Sequence, residues 1–179
     1  MFLSLKDLEL RKVQFDLSFP PGEIEFFDPK LWQTTPLQVK GEAELLEHTE
    51  GEIRIRGHLR VQMEGECDRC LETASFPVDT SFDLLYRPML KAIGEGPEVE
   101  VAEEETEVGF YDGSGVELRD VIREHVLLSL PMRKVCSEAC KGICPECGQN
   151  RNQAQCQCEV KTADDRWAAL RHLSPPAKE

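Results

Sequence analysis

Six cysteines crowd into Cys136-Ser-Glu-Ala-Cys140-Lys-Gly-Ile-Cys144-Pro-Glu-Cys147-Gly and the Cys156-Gln-Cys158 pair that follows. The remaining two form a separate Cys67-Asp-Arg-Cys70 far upstream. Thiols at this spacing constrain the fold, because two cysteines separated by two residues reach one metal ion when the chain turns tightly between them. Zinc takes four ligands in a tetrahedron, with thiolate sulfur at ~2.3 Å. Cys144-Pro-Glu-Cys147-Gly has the chemistry of such a turn: Pro145 sets φ at its start and Gly148 permits a positive φ at its end. Backbone N–H groups of the turn point at sulfur and favour thiolate over thiol. Cys156 and Cys158 lie near enough to complete the same set.

The expected partition is therefore two four-thiolate sites for structural zinc. One is Cys144, Cys147, Cys156 and Cys158, and the other is Cys67, Cys70, Cys136 and Cys140. A competing arrangement uses Cys140, Cys144, Cys147 and either Cys156 or Cys158, and leaves Cys67 and Cys70 spare. Disulfides suit a secreted chain, but Met1-Phe-Leu-Ser-Leu-Lys-Asp has no long apolar run and no secretory signal is visible. A thioredoxin-like pair expects a βαβ pattern that is not evident. An iron–sulfur cluster also takes four cysteines, but the Cys-Pro-x-Cys-Gly knuckle favours zinc.

The rest of the chain reads as a β-rich body. Ile53, Ile55, Gly57, Leu59, Val61 and Met63 alternate with Arg54, Arg56, His58, Arg60, Gln62 and Glu64. Period two makes this a half-buried strand. Val39, Gly41, Ala43 and Leu45 alternate with Glu42 and Glu44, and His48-Thr-Glu-Gly51 makes the two runs a hairpin. Val13, Phe15, Leu17 and Phe19 form an earlier strand, and Ile24 to Phe27 suits another short extended piece. Ala74, Phe76, Val78, Phe82, Leu84 and Tyr86 form a later one, which places Cys67-x-x-Cys70 in the turn between strands. Val108 to Tyr111 suits a further short strand.

One helix is expected at about 116–130, capped by Ser114 and stopped by Pro131, with Leu118, Val121, Ile122, His125, Val126 and Ser129 on one side. A second, amphipathic, is expected over 165–173. The fold class expected is α+β: an antiparallel β-sheet body with a C-terminal helix and a cysteine-rich zinc-binding lobe. The boundaries are 1–135 for the body, 136–173 for the metal-binding lobe and 174–179 for a tail.

The chain carries 34 acidic against 21 basic residues, a net charge of −13. That balance argues against a protein that coats nucleic acid through dense positive charge. Glu98 to Glu107 is an acidic block, read as a solvated loop with docking of a basic partner as the alternative. Arg54, Arg56, His58 and Arg60 form a basic stripe, read first as cross-strand partners of Glu42 and Glu44 and second as an RNA-phosphate contact. His48 and His58 lack ligand partners at motif spacing and read as solvated. His125 reads as a packed core histidine. No apolar stretch approaches the ~20 residues that span a membrane, and no His-Glu-x-x-His motif accompanies the thiols.

Taken together, Cys67-x-x-Cys70-Leu71 after a hairpin, an acidic loop, a helix ending in Leu-Ser-Leu-Pro131, and Cys-x3-Cys-Lys-Gly-Ile-Cys-Pro-x-Cys-Gly-x-Asn with Cys-x-Cys and a closing Asp-Arg helix resemble the YceD family over about residues 10–173. Asn150-Arg151-Asn152 stands where that family often has Asn-Leu-Asn. The resemblance implies a cytoplasmic bacterial protein needed for large-subunit ribosomal RNA accumulation, hence ribosome biogenesis, with no catalytic activity. Its partners would be a pre-ribosomal particle, ribosomal RNA or a basic ribosomal protein, with no membrane and no small-molecule substrate. The metal sites rest on this chain's own cysteines. The alternative functions are a redox-sensitive zinc chaperone and a metal-dependent enzyme.

Overall fold

The computed structural model describes residues 1–49, 51–89 and 108–158. Within them the chain runs β1 (Phe2–Ser4), α1 (Leu5–Leu10), β2 (Val13–Phe19), β3 (Leu31–Gln33), β4 (Leu37–Leu45), β5 (Ile53–Glu66), β6 (Thr73–Pro88), β7 (Val108–Tyr111), β8 (Gly115–Glu117) and α2 (Leu118–Ser129). The main sheet has the order β2-β4-β5-β6-β7, with β3 also paired to β5. It is antiparallel except for β6 and β7, which run parallel. The architecture is α+β.

The alternation read from the sequence sorts residues onto the two faces of this sheet. Ile53, Ile55, Leu59, Val61 and Met63 are buried with Leu37, Val39, Ala43, Phe76, Val78 and Phe82. Gly41 lies directly across from Gly57, and the pair leaves room for two rings. A Cβ at Gly41 would sit 2.7 Å from the Phe15 ring, and one at Gly57 would sit 2.9 Å from that of Phe82. α2 covers the apolar face with Leu118, Val121, Ile122 and Val126, and His125 packs its ring 5.1 Å from that of Phe82.

Three local expectations change. Ser114 does not cap α2: the N-cap is Glu117, without a side-chain cap bond. The reason is competition for backbone, since Gly115–Glu117 pairs with Phe2–Ser4 as β8 and the Ser114 carbonyl accepts the Leu5 N–H. Ser129 is exposed and its Oγ donates to the His125 carbonyl at 2.7 Å. Ile24 to Phe27 is a loop, in which Ile24 and Phe26 are buried and Phe27 takes a φ of +57°. The acidic block 98–107 and the closing helix expected at 165–173 lie outside the described residues.

Each side chain of the basic stripe faces an acidic partner on a neighbouring strand. Arg54 binds Asp83 through two bonds of 2.8 and 2.6 Å. Arg56 Nε donates to Glu42 at 2.7 Å. His58 lies 2.8 Å from Asp79, and Arg60 3.6 Å from the same carboxyl group. The cross-strand reading therefore holds for Glu42 and for Glu44, which lies 3.8 Å from Arg56, while Arg54 turns to Asp83 on β6. His48 is exposed in the hairpin turn. No helix among the described residues is long and apolar enough to cross a membrane.

Candidate metal centre

Both C-x-x-C segments fold into the same turn. In the first, the Leu71 N–H donates to the Cys67 carbonyl at 2.9 Å and the Cys67 N–H to the Glu72 carbonyl at 2.8 Å. In the second, the Gly148 N–H donates to Cys144 at 2.8 Å and the Cys144 N–H to Gln149 at 2.8 Å. Residues at the matching position take a left-handed backbone, with φ of +64° at Leu71 and +72° at Gly148. Glycine reaches that region freely, whereas leucine reaches it at a cost of ~1 kcal/mol or more.

The first turn hangs between β5 and β6, so its sulfurs sit at the end of the body's longest hairpin. Pro131 ends α2, and the chain after it returns to this turn. The Lys134 N–H donates to the Asp68 carboxylate at 2.6 Å, and the Asp68 N–H to the Lys134 carbonyl at 2.7 Å. Lys134 Nζ meanwhile reaches Asp28 at 2.9 Å. This clamp sets Cys136 beside the turn, with its N–H 3.3 Å from Cys67 Sγ. Cys67 Sγ lies 3.9 Å from Cys140 Sγ, and Cys70 Sγ lies 3.7 Å from Cys136 Sγ.

Those separations decide the chemistry. A disulfide needs ~2.0 Å between sulfurs, and all eight cysteines are free. A tetrahedron with metal–sulfur bonds of ~2.3 Å has edges of ~3.8 Å. The structure gathers the sulfurs into two groups, Cys67/Cys70/Cys136/Cys140 and Cys144/Cys147/Cys156/Cys158, each with all ligand atoms within 4.8 Å of one another. Either group can hold a metal ion. The alternative set built on Cys140 with Cys144 and Cys147 is not the one the fold assembles.

The electrostatics of each group are uneven. Burial opposes ionisation of Cys67, but N–H groups of Arg69, Cys136 and Cys70 outweigh it and hold the thiol down at about 6. Cys70 goes the other way. The Glu72 N–H pulls it down, but burial and the sulfurs of Cys67, Cys140 and Cys136 push it up to about 12. In the second group, N–H groups of Cys147 and Glu146 hold Cys144 down at about 6. The sulfur of Cys147, followed by burial, pushes Cys158 up to about 12. Thiolates this close repel one another, and a divalent cation among them removes the repulsion.

Several supporting residues escaped the sequence reading. Asn152 Nδ2 donates to Cys140 Sγ at 3.3 Å and lowers that thiol's pKa, while its Oδ1 accepts the Lys141 N–H at 2.7 Å. Arg69 Nη1 donates to the carbonyls of Cys140 and Glu138 at 2.9 and 3.2 Å. The Arg69 carbonyl accepts the Ile143 N–H at 2.9 Å, and a Cβ on Gly142 would lie 2.9 Å from that same oxygen. Asn150 bridges to Glu72 at 3.3 Å. The signal for the two asparagines was their place after the knuckle, in the motif that carries the family resemblance.

The family model described as "Large ribosomal RNA subunit accumulation protein YceD" matches residues 55–174, a stretch that includes all eight cysteines. An uncharacterized protein of Mycobacterium tuberculosis is 28% identical over 127 residues, which is 71% of this chain and 58% of that protein. "Large ribosomal RNA subunit accumulation protein YCED homolog 1, chloroplastic" of Arabidopsis thaliana is 25% identical over 150 residues, covering 68% of this chain and 44% of the plant protein. The chain thus spans about half the length of the curated relatives it matches. No solved structure matches it.

Proposed function

The chain belongs to the YceD family, and from that premise we propose that it is a non-enzymatic ribosome biogenesis factor, needed for large-subunit ribosomal RNA to accumulate and stabilised by structural zinc. Its partners are a pre-ribosomal particle, ribosomal RNA or a basic ribosomal protein, and it works in the cytoplasm, where a reducing milieu keeps thiols available to metal. The observation that carries the reading is the pair of four-sulfur groups inside the stretch matched by that family. Cys67, Cys70, Cys136 and Cys140 would hold one zinc ion, and Cys144, Cys147, Cys156 and Cys158 the other. Catalytic zinc keeps a coordination position open for water or substrate, whereas four thiolates close the site. The metal's contribution is then to folding, and the surface around it meets the partner.

The division into a body over 1–135, a metal-binding lobe over 136–173 and a tail over 174–179 belongs to the same proposal. The two parts are joined through the first site, since Cys67 and Cys70 come from the body and Cys136 and Cys140 from the lobe.

Two measurements test this. Cells lacking the protein should show a lowered ratio of large-subunit to small-subunit ribosomal RNA, restored by the intact gene. An unchanged ratio would sink the biogenesis reading. Metal analysis of the reduced, purified protein should find two zinc ions per chain, one for each group. Protein that folds and functions with all eight thiols free to react would remove zinc from the account.

A further inference from the structure

The loop between β2 and β3 buries Ile24 and Phe26 and then turns Phe27 outward, 71% exposed, with a φ of +57°. A bulky aromatic in the left-handed region is strained, and here the strain brings no burial in return. The ring is nevertheless held in place. The Arg123 guanidinium lies 4.6 Å from its centroid, and Arg123 is itself tied to Asp120 at 2.7 Å. Trp32, 38% exposed on β3, lines the same open groove, together with Ile24, Phe26, Pro29 and Leu31. The groove encloses about 450 Å³.

Its charge is acidic. Glu23, Asp28 and Glu66 are paired with Arg119, Lys134 and Lys30. Glu25, which lines the groove, and Glu64, directly across from Trp32 on β5, are in no ion pair among the described residues. Two free carboxylates beside two exposed aromatic rings repel a phosphate backbone and attract a cation.

We propose that this groove docks an extended, cationic protein segment, seating one of its apolar side chains between Phe27 and Trp32 and facing its lysines or arginines toward Glu25 and Glu64. Exposed aromatic anchors rimmed by complementary charge are the usual makings of such a surface. The inference rests on the biogenesis reading only for the natural source of the segment, which would be a basic ribosomal protein.

The test uses the full chain and a dye-labelled synthetic peptide that alternates arginine with leucine, followed by fluorescence anisotropy at physiological salt. Phe27→Asn and Trp32→Ala should each weaken binding about tenfold, and Glu25→Lys with Glu64→Lys should weaken it further. Asparagine tolerates a left-handed backbone, so Phe27→Asn should melt no lower than the wild type, which separates lost docking from lost folding. Peptide affinity unchanged in both aromatic variants would mean general attraction to the −13 charge and would overturn the proposal. So would a labelled single-stranded RNA that binds the wild type in the peptide's place and is lost in Phe27→Asn. Groove-dependent peptide binding alongside normal ribosomal RNA levels in cells lacking the protein would sink the biogenesis reading and leave the docking site standing.

Discussion

The two cysteine groups start from one turn and end as different structures. Cys67–Cys70 and Cys144–Cys147 share their hydrogen bonds and their left-handed fifth residue. The first group then takes its other two sulfurs from the segment that follows α2, and three of its four cysteines are buried with the sheet's apolar face. The second takes all four sulfurs from residues 144–158, with only Cys144 buried, Cys147 exposed and Cys156 half-buried. A local turn therefore specifies that a thiol pair forms, and not what the pair is for. An ion in the first group ties distant segments together, and its loss frees a long loop as well as the site. An ion in the second closes only a short excursion of chain.

The sharpest way to break this comparison is to remove one ligand from each group. Cys67→Ser should destabilise the whole chain by about 3–5 kcal/mol, since loss of a buried metal site is among the largest single-residue effects. Thermal unfolding would read it as a lowered, broadened transition that includes the β4–β5 hairpin. Cys144→Ser should release one ion and speed amide exchange near residues 143–154, while β4 and β5 keep their protection and body stability moves by less than about 1 kcal/mol. Equal losses in the two variants would abolish the distinction. A chelator or peroxide should likewise release the second group's ion first, since its thiols are the more accessible. If oxidative release were reversible and exposed chaperone activity, the redox alternative would gain over the purely structural one.

Leu71→Gly sharpens the comparison from the side of the turn. It gives the first turn the residue that the second already has at Gly148. Relief of the left-handed strain, less the added freedom of glycine in the unfolded chain, should raise stability by about 0.5 kcal/mol. A fall instead would mean that the half-exposed leucine side chain makes contacts that outweigh its strain.

The smallest effect is a control for acid titrations, in which protons would compete with metal for the thiols of both groups. The body has its own acid response through His125, whose pKa burial lowers from its ordinary 6.5. The unfolded chain then binds a proton that the folded one refuses. The stability present above about pH 6.5 is lost as pH falls through that value toward the folded pKa. His125→Leu should flatten the slope of melting temperature against pH in this window. A slope unchanged by the substitution would assign the acid response to the cysteine groups alone.

Much of this was legible in the residues. The alternation in β5 named the buried face, and the paired cysteines named the thiols that the fold gathers, because both patterns act over two to four residues. His125 was readable as a helix-face residue, yet its contact with Phe82 depends on which strand the helix covers. The basic stripe was visible, but not that Arg54 would pass over Glu44 for Asp83 on the other neighbouring strand.

By itself, the sequence determined the two knuckles, the alternating strands and the α2 apolar face, since local backbone geometry dictates each. The tertiary structure decided between the two partitions of the thiols that their spacing left open. Cys70 and Cys136 meet at 3.7 Å only because the β5–β6 hairpin, α2 and the Asp28–Lys134–Asp68 clamp deliver both to one point. It also decided that Asn152 and Arg69 support the sulfurs, and that Gly115–Glu117 would join β1 rather than open the helix. Such choices turn on contacts between segments dozens of residues apart, and packing selects among options that local propensity leaves equal.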